Sequence, residues 1–229
     1  MKHPSPAAGE RDQGERALTG HEDCGPRCWS ARRTAPAPGE EVRFRLLFVC
    51  TGNICRSPLA ERLTRSVLGP CPSLEVISAG TFARPGEPMT EHARQVLIKL
   101  GGDPCGFLSR PLTPELLAAA DLVLTATTEH RGESVAEHPP AAARTFTIAE
   151  FGTLARAVRA EAVTRHEDPA RRAGALLDEV RAMRGLVRVN QPDIADPYGR
   201  SLWAYRAAGR RIAGSLAVPL RLLTRSPAS

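Results

Sequence analysis

The fold is decided by the stretch FRLLFVCTGNICRSPLAERL at residues 44–63. It opens on an apolar run at 44–49, which is typical of a strand buried on both faces of a parallel sheet. Gly52 interrupts the run, and Ser57 and Pro58 then supply a helix start. The stretch therefore predicts a strand, a tight loop and a helix.

Strands and helices continue to alternate downstream of this stretch. The predicted elements are a strand around 74–77, a helix at 90–100, a short helix from Pro114, a strand at 121–126, a short strand at 145–148 and a closing helix from about Ser201. Such alternation indicates an α/β fold with three layers, in which a four-stranded parallel sheet carries helices on both faces.

The composition divides the chain into a tail and one domain. Residues 1–42 contain Pro, Gly, Arg and Glu without apolar periodicity, so we expect a disordered N-terminal tail. Residues 43–229 then form the domain, with a helical insertion at about 152–190. Apolar residues of the insertion recur at helical spacing and predict a docking stripe, namely Leu176, Leu177, Val180 and Met183.

Several classes of function are disfavoured by composition. The net charge of +6 comes almost entirely from scattered Arg, and aromatic residues make up only 4% of the chain, so we expect no nucleic-acid partner. No apolar run is long enough to span a membrane, and charges occupy the first 30 residues, so we expect no membrane association and a cytoplasmic location. His21, Cys24 and Cys28 lack a fourth ligand, so no metal site is predicted.

The loop between the first strand and helix has the features of a phosphate cradle. At the carboxyl end of a parallel strand, backbone N–H groups and the positive end of the following helix favour a bound anion. The expected phosphate-binding residues are Thr51, Gly52, Asn53, Ile54, Cys55, Arg56 and Ser57. The same field favours the thiolate of Cys50, a nucleophile, while Arg56 offers a planar two-pronged donor to phosphate oxygens.

The segment Cys50-Thr51-Gly52-Asn53-Ile54-Cys55-Arg56-Ser57-Pro58 resembles the active-site signature of the low-molecular-weight protein tyrosine phosphatases, including their bacterial branch. The resemblance implies the flavodoxin-like fold of that family. Ser78-Ala79-Gly80-Thr81 and the segment 120–124 look like further landmarks, with Ser78 steadying the loop Asn. Phe107 departs from the pattern, since many members have His there.

The resemblance also implies the remaining roles. Asp196-Pro197-Tyr198 matches the family segment that supplies the general acid, so Asp196 is expected to protonate the leaving oxygen and Tyr198 to line the cleft against an aromatic substrate. The expected partner is a phosphorylated protein, with a bacterial tyrosine kinase as one candidate. No metal or organic cofactor is expected, because amides and Arg56 neutralise the charge. The sequence leaves the oligomeric state open.

Three alternatives to a phosphotyrosine phosphatase stay open. The arginine-phosphatase branch is similar over the same region but tends to carry a smaller Thr where this chain has Ile54, whose bulk disfavours a guanidinium. Thioredoxin-linked arsenate reductases need two further close cysteines, whereas Cys71 and Cys105 are widely spaced. A non-catalytic phosphate-binding module has no need of Asp196. Cys55 either packs beside the loop or forms a reversible disulfide with Cys50.

Overall fold

A computed structural model describes residues 43–224 of the chain. Its four strands are all parallel and lie in the order β2-β1-β3-β4. The elements are β1 (Phe44–Cys50), α1 (Arg56–Leu68), β2 (Leu74–Gly80), α2 (Glu91–Lys99), α3 (Pro114–Ala119), β3 (Leu122–Thr125), α4 (Thr128–Glu137), a 3₁₀ helix (Pro139–Arg144), β4 (Thr145–Thr147), α5 (Ile148–Ala155), α6 (Ala160–Thr164), α7 (Pro169–Met183) and α8 (Leu202–Thr224). The predicted α/β fold is confirmed. The predictions for residues 1–42 lie outside the described residues.

The sheet is buried on both faces, as the apolar run of β1 predicts. Alternate side chains of β1 enter two separate hydrophobic clusters, Phe44 and Phe48 on one face and Leu47 and Val49 on the other. Side chains of a strand alternate between faces, so a strand covered on both sides is apolar at nearly every position, and Arg45 near the start of β1 is the partly exposed exception. Helices therefore cover each side of the sheet.

The predicted insertion contains α6 and α7, and α7 docks through its apolar stripe. Leu176, Leu177 and Val180 are buried in the larger hydrophobic cluster. Asp168 caps the helix, since its carboxylate accepts a hydrogen bond from the Arg171 N–H at 2.9 Å. Whether this segment is an insertion relative to other proteins stays a prediction.

Two helices were not predicted from the sequence. Helix α4 follows β3 and is capped by the Thr127 side chain, and α5 begins at Ile148, which the sequence assigned to a strand. A capping box of Thr147 and Glu150 starts α5, because each side chain bonds to the backbone of the other residue. Among residues 43–224, no helix is long and apolar enough to cross a membrane.

Helices α5 and α8 touch at a glycine, which supplies a first prediction. A Cβ added to Gly152 would lie 2.8 Å from the backbone Cα of Ser215, so Gly152→Ala must separate the two helices. We expect a loss of about 1–3 kcal/mol in the free energy of unfolding, measured by urea denaturation. Gly174→Ala in α7 is the control, since nothing lies near its added methyl group and the helix should gain stability. A Gly152→Ala protein as stable as the wild type would contradict this packing.

Candidate active site

The loop from Cys50 to Arg56 joins the carboxyl end of β1 to the start of α1, at the centre of the sheet. Asn53 has φ of 52°, a left-handed conformation that Asn adopts more readily than most residues. The thiol of Cys50 is 2% exposed, and its Sγ lies 3.0 Å from the Ser57 Oγ. Strand, loop and helix thus bring together a buried thiol, a hydroxyl and a helix N-terminus.

The side chain of Asn53 fixes the loop from within. Its Nδ2 donates to Ser57 Oγ at 2.9 Å and to Ser78 Oγ at 2.8 Å, while its Oδ1 accepts from the Arg110 N–H at 2.9 Å. Ser78 in turn donates to the buried carboxylate of Glu61 at 2.6 Å. Every hydrogen-bonding atom of the Asn53 amide group therefore has a partner, which holds the loop in one shape. Ser78 contacts the loop Asn, as the resemblance implied.

The position where the family often has His is filled differently. Phe107 is buried, and the guanidinium carbon of Arg62 lies 5.5 Å from the centre of its ring. Arg65 pairs with Glu61 at 3.2 Å on the same helix. The Glu61 carboxylate, which accepts from Ser78, is therefore paired with Arg65, and the neighbouring Arg62 lies against the Phe107 ring.

Arg56 and Asp196 meet at the mouth of the loop. The Arg56 side chain is 4% exposed, and its Nη2 lies 3.0 Å from Asp196 Oδ2, whose side chain is 51% exposed. Arg56 also donates through Nη1 to the carbonyl oxygen of Ile194 at 3.2 Å and through Nη2 to Thr51 Oγ1 at 3.3 Å. Its buried Nε has no hydrogen-bond partner within residues 43–224. One N–H of the guanidinium is therefore left unpaired within the described residues.

Two aromatic side chains project into solvent from segments that border the loop. Tyr198, two residues beyond Asp196, is 63% exposed, and Phe82 is 85% exposed. Phe82 is attached to the loop, since its N–H donates to the Thr51 carbonyl oxygen at 2.9 Å. The sequence singled out Tyr198 but missed Phe82. Its position directly after the Ser78-Ala79-Gly80-Thr81 landmark was the available signal.

The second loop cysteine, Cys55, contacts Thr90 and Tyr205. Cys50 and Cys55 are both free thiols. Cys55 Sγ lies 3.4 Å from Thr90 Oγ1 and donates to the Tyr205 hydroxyl oxygen at 3.6 Å. Burial raises the pKa of the Cys55 thiol, and the same burial raises the pKa of Tyr205 to about 12. Cys55 is therefore a protonated, packed thiol in this state.

His130, a buried histidine that contacts the loop, was also not identified from the sequence. His130 lies in the first turn of α4, and its Nε2 is 2.8 Å from Thr51 Oγ1, while its Nδ1 is 2.6 Å from Thr127 Oγ1. Burial, followed by the charge of Arg56, lowers the pKa of His130. The imidazole is therefore uncharged near neutral pH.

This lowered pKa predicts a loss of stability in acid. Below about pH 6.5, the unfolded chain takes up a proton on His130 before the folded chain does, so folding becomes less favourable as the pH falls. We expect the melting temperature of the wild type to drop more between pH 7.5 and 5.5 than that of His130→Gln, which cannot titrate. Equal drops in the two proteins, measured by calorimetry, would contradict the uncharged buried state.

Comparisons with known proteins found similar sequences and structures. The family profile described as low molecular weight phosphotyrosine protein phosphatase matches residues 45–184. A protein-arginine-phosphatase of Geobacillus stearothermophilus is 33% identical over 165 residues, which cover 72% of this chain and 86% of the relative. A probable low molecular weight protein-tyrosine-phosphatase, EpsP of Ralstonia solanacearum, is 38% identical over 106 residues, 46% of this chain and 71% of the relative.

A solved structure is similar over most of the domain. The low molecular weight protein tyrosine phosphatase from T. tengcongensis superposes with a TM-score of 0.57 at 30% identity, covering 78% of this chain and 98% of the other. The fold and these relatives define a phosphatase. The chain belongs to the low molecular weight phosphotyrosine protein phosphatase family.

Proposed function

We propose that the protein hydrolyses phosphotyrosine in protein substrates through a cysteinyl-phosphate intermediate. The observation that carries the proposal is the convergence on one loop of the buried Cys50 thiol, the Arg56 guanidinium with a free Nε, and the Asp196 carboxylate 3.0 Å from Arg56. Nucleophile, phosphate clamp and proton donor are the three groups that the reaction requires.

In the first step, Cys50 Sγ attacks phosphorus, the bond from phosphorus to the ester oxygen breaks, and Asp196 gives its proton to that oxygen. Arg56 binds two equatorial oxygens, and the amides of residues 51–57 together with the start of α1 stabilise the charge on the phosphoryl group. Asp196 pairs with Arg56 at 3.0 Å, so a phosphate that binds Arg56 competes with this contact.

In the second step, Asp196 takes a proton from water, the water oxygen attacks phosphorus, and the bond from phosphorus to sulfur breaks. Cys50 leaves as a thiolate, which the Ser57 hydroxyl stabilises across the observed 3.0 Å contact. Inorganic phosphate is released and Asp196 is protonated again. The residues account for both steps without a metal or organic cofactor.

A flat phenyl group suits the mouth of the loop better than a guanidinium. Phe82 and Tyr198 present exposed rings beside it, and Ile54 places a branched apolar side chain against Gly52 in the loop, 3.4 Å from where a Cβ would stand. An aromatic substrate can stack on the two rings, but a guanidinium can do so too, so the discrimination rests on the branched Ile54 side chain, whose bulk disfavours a guanidinium. Arginine phosphatase activity is the second candidate, supported by the Geobacillus relative.

The other sequence alternatives have less support. Cys71 lies against Ser73 at 3.6 Å, at the end of the sheet opposite the loop, so it is not placed to relay a disulfide from Cys50 as an arsenate reductase requires. A phosphate-binding module would not need a proton donor beside the phosphate-binding arginine.

We propose a phosphoprotein partner, with a bacterial tyrosine kinase as one candidate, and a cytoplasmic location, where the reactive thiolate stays reduced.

Competing peptide substrates test this proposal. We expect kcat/KM on a phosphotyrosine peptide to exceed that on the matching phosphoarginine peptide by about tenfold or more. Ile54→Thr should lower this ratio, while Ile98→Thr on the exposed face of α2 serves as the control. A wild-type protein that is faster on phosphoarginine would replace the proposed substrate with the second candidate.

A further inference from the structure

A buried histidine outside the proposed reaction lies one contact away from the phosphate clamp. Thr51 Oγ1 stands between two groups, the His130 imidazole at 2.8 Å and the Arg56 guanidinium at 3.3 Å. His130 is 4% exposed and lies in α4, the helix that follows β3 along the chain. The imidazole, the hydroxyl and the guanidinium therefore form one chain of hydrogen bonds.

A guanidinium can only donate, which fixes the direction of the bond between Arg56 and Thr51, while the tautomer of His130 sets the direction of the bond between Thr51 and the imidazole. A guanidinium only donates, so Thr51 Oγ1 accepts from Arg56 and can give its own hydrogen to His130 Nε2. In the tautomer that accepts from Thr51, the imidazole carries its hydrogen on Nδ1 and donates it to Thr127 Oγ1 at 2.6 Å. Thr127 Oγ1 also accepts from the His130 N–H at 3.3 Å as the N-cap of α4. With the imidazole uncharged in this tautomer, the hydrogens of Arg56 Nη2, Thr51 Oγ1 and His130 Nδ1 each have one acceptor.

We propose that His130 is a positioning residue that fixes the Thr51 hydroxyl, and through it the Arg56 guanidinium, for phosphate binding. The inference rests on the proposed phosphatase function. Thr51 is exposed, so its side chain is free to change rotamer unless a second group holds it. The contact from Arg56 to Thr51 is long for a hydrogen bond and depends on the direction of the Thr51 lone pair.

The charges around the imidazole favour this arrangement. Arg56 disfavours a second cation, whereas Glu129 and Glu133 on α4 and Asp196 across the loop mouth act in the opposite direction. Burial adds to the effect of Arg56. The uncharged imidazole, which can accept from Thr51, is therefore the form present during turnover near neutral pH.

Substitutions at His130 separate this role from simple packing. We expect His130→Leu to lower kcat/KM on para-nitrophenyl phosphate about tenfold, because a hydrogen bond in a chain that includes a charged group is lost. His130→Gln can still accept from Thr51 and should stay within about threefold of the wild type. His138→Gln, at the other end of α4, is the control and should not change the rate.

A double-mutant cycle with Thr51→Val gives the decisive readout. Affinity for inorganic phosphate is measured by calorimetry in the Cys50→Ser background, so that the result does not depend on turnover. If His130 acts through Thr51, the double variant binds phosphate no more than about twofold more weakly than the worse single variant. Losses that multiply, or a folded His130→Leu protein with unchanged phosphate affinity, would overturn the proposal. Turnover that survives Cys50→Ser would instead overturn the proposed function alone.

Discussion

Cys50→Ser is expected to abolish turnover, with kcat on para-nitrophenyl phosphate falling by about 10⁴-fold or more. A hydroxyl in this position is a far weaker nucleophile than a thiolate, and any phosphoserine ester that it forms is hydrolysed slowly, because the serine alkoxide is a poor leaving group in the second step. The substitution removes one sulfur from a buried site that is otherwise well packed. Folding and phosphate binding should therefore persist while turnover is lost.

The matched control for this variant is Cys71→Ser. Cys71 is also a free thiol, but it contacts Ser73 at the turn before β2 and lies outside the loop. We expect it to retain the wild-type rate, measured by release of the nitrophenolate. Residual turnover above about one hundredth of the wild-type rate in Cys50→Ser would contradict a covalent mechanism through this residue.

Asp196→Ala is expected to have the second-largest effect and to depend on the leaving group. With a poor leaving group such as phenolate, kcat should fall by about 10²- to 10⁴-fold, because nothing protonates the departing oxygen. With para-nitrophenolate the loss should be smaller, since that anion leaves without a proton. The measurement is kcat on phenyl phosphate and para-nitrophenyl phosphate in parallel.

Asp178→Ala supplies the control for this experiment. Asp178 is an exposed carboxylate of α7 whose partner is Arg181 at 3.3 Å, and its removal should change neither rate. Equal losses on the two esters in Asp196→Ala would argue that Asp196 only orients Arg56, with which it pairs at 3.0 Å. An unchanged rate on phenyl phosphate would reject its assignment as the acid.

The local features of the site could be predicted from the sequence because they lie within one short segment. Strand, loop and helix follow one another at residues 44–63, so the order of residue types already places Cys50 and Arg56 on the same loop. The apolar run of β1 predicts burial on both faces, and two hydrophobic clusters confirm it. Neighbours along the chain are neighbours in the fold here, which is why spacing alone was informative.

Contacts between distant segments could not be predicted in this way. His130 reaches Thr51 across 79 positions, and nothing in the polar sequence of α4 distinguishes it from an exposed histidine. The same holds for Phe82, whose exposure beside the loop depends on the parallel pairing of β1 with β2. Helix α5 was missed because its capping box follows a three-residue strand with no turn between them.

The central claim is that the sulfur of residue 50 carries the phosphoryl group during turnover. The most direct measurement is rapid acid quenching of the Asp196→Ala protein with phenyl or para-nitrophenyl phosphate, followed by mass spectrometry of the peptide that contains residues 50–56. Phosphorylation of Cys50 at a rate no slower than turnover is the predicted result. Turnover in the absence of any phosphorylated Cys50 would contradict the account.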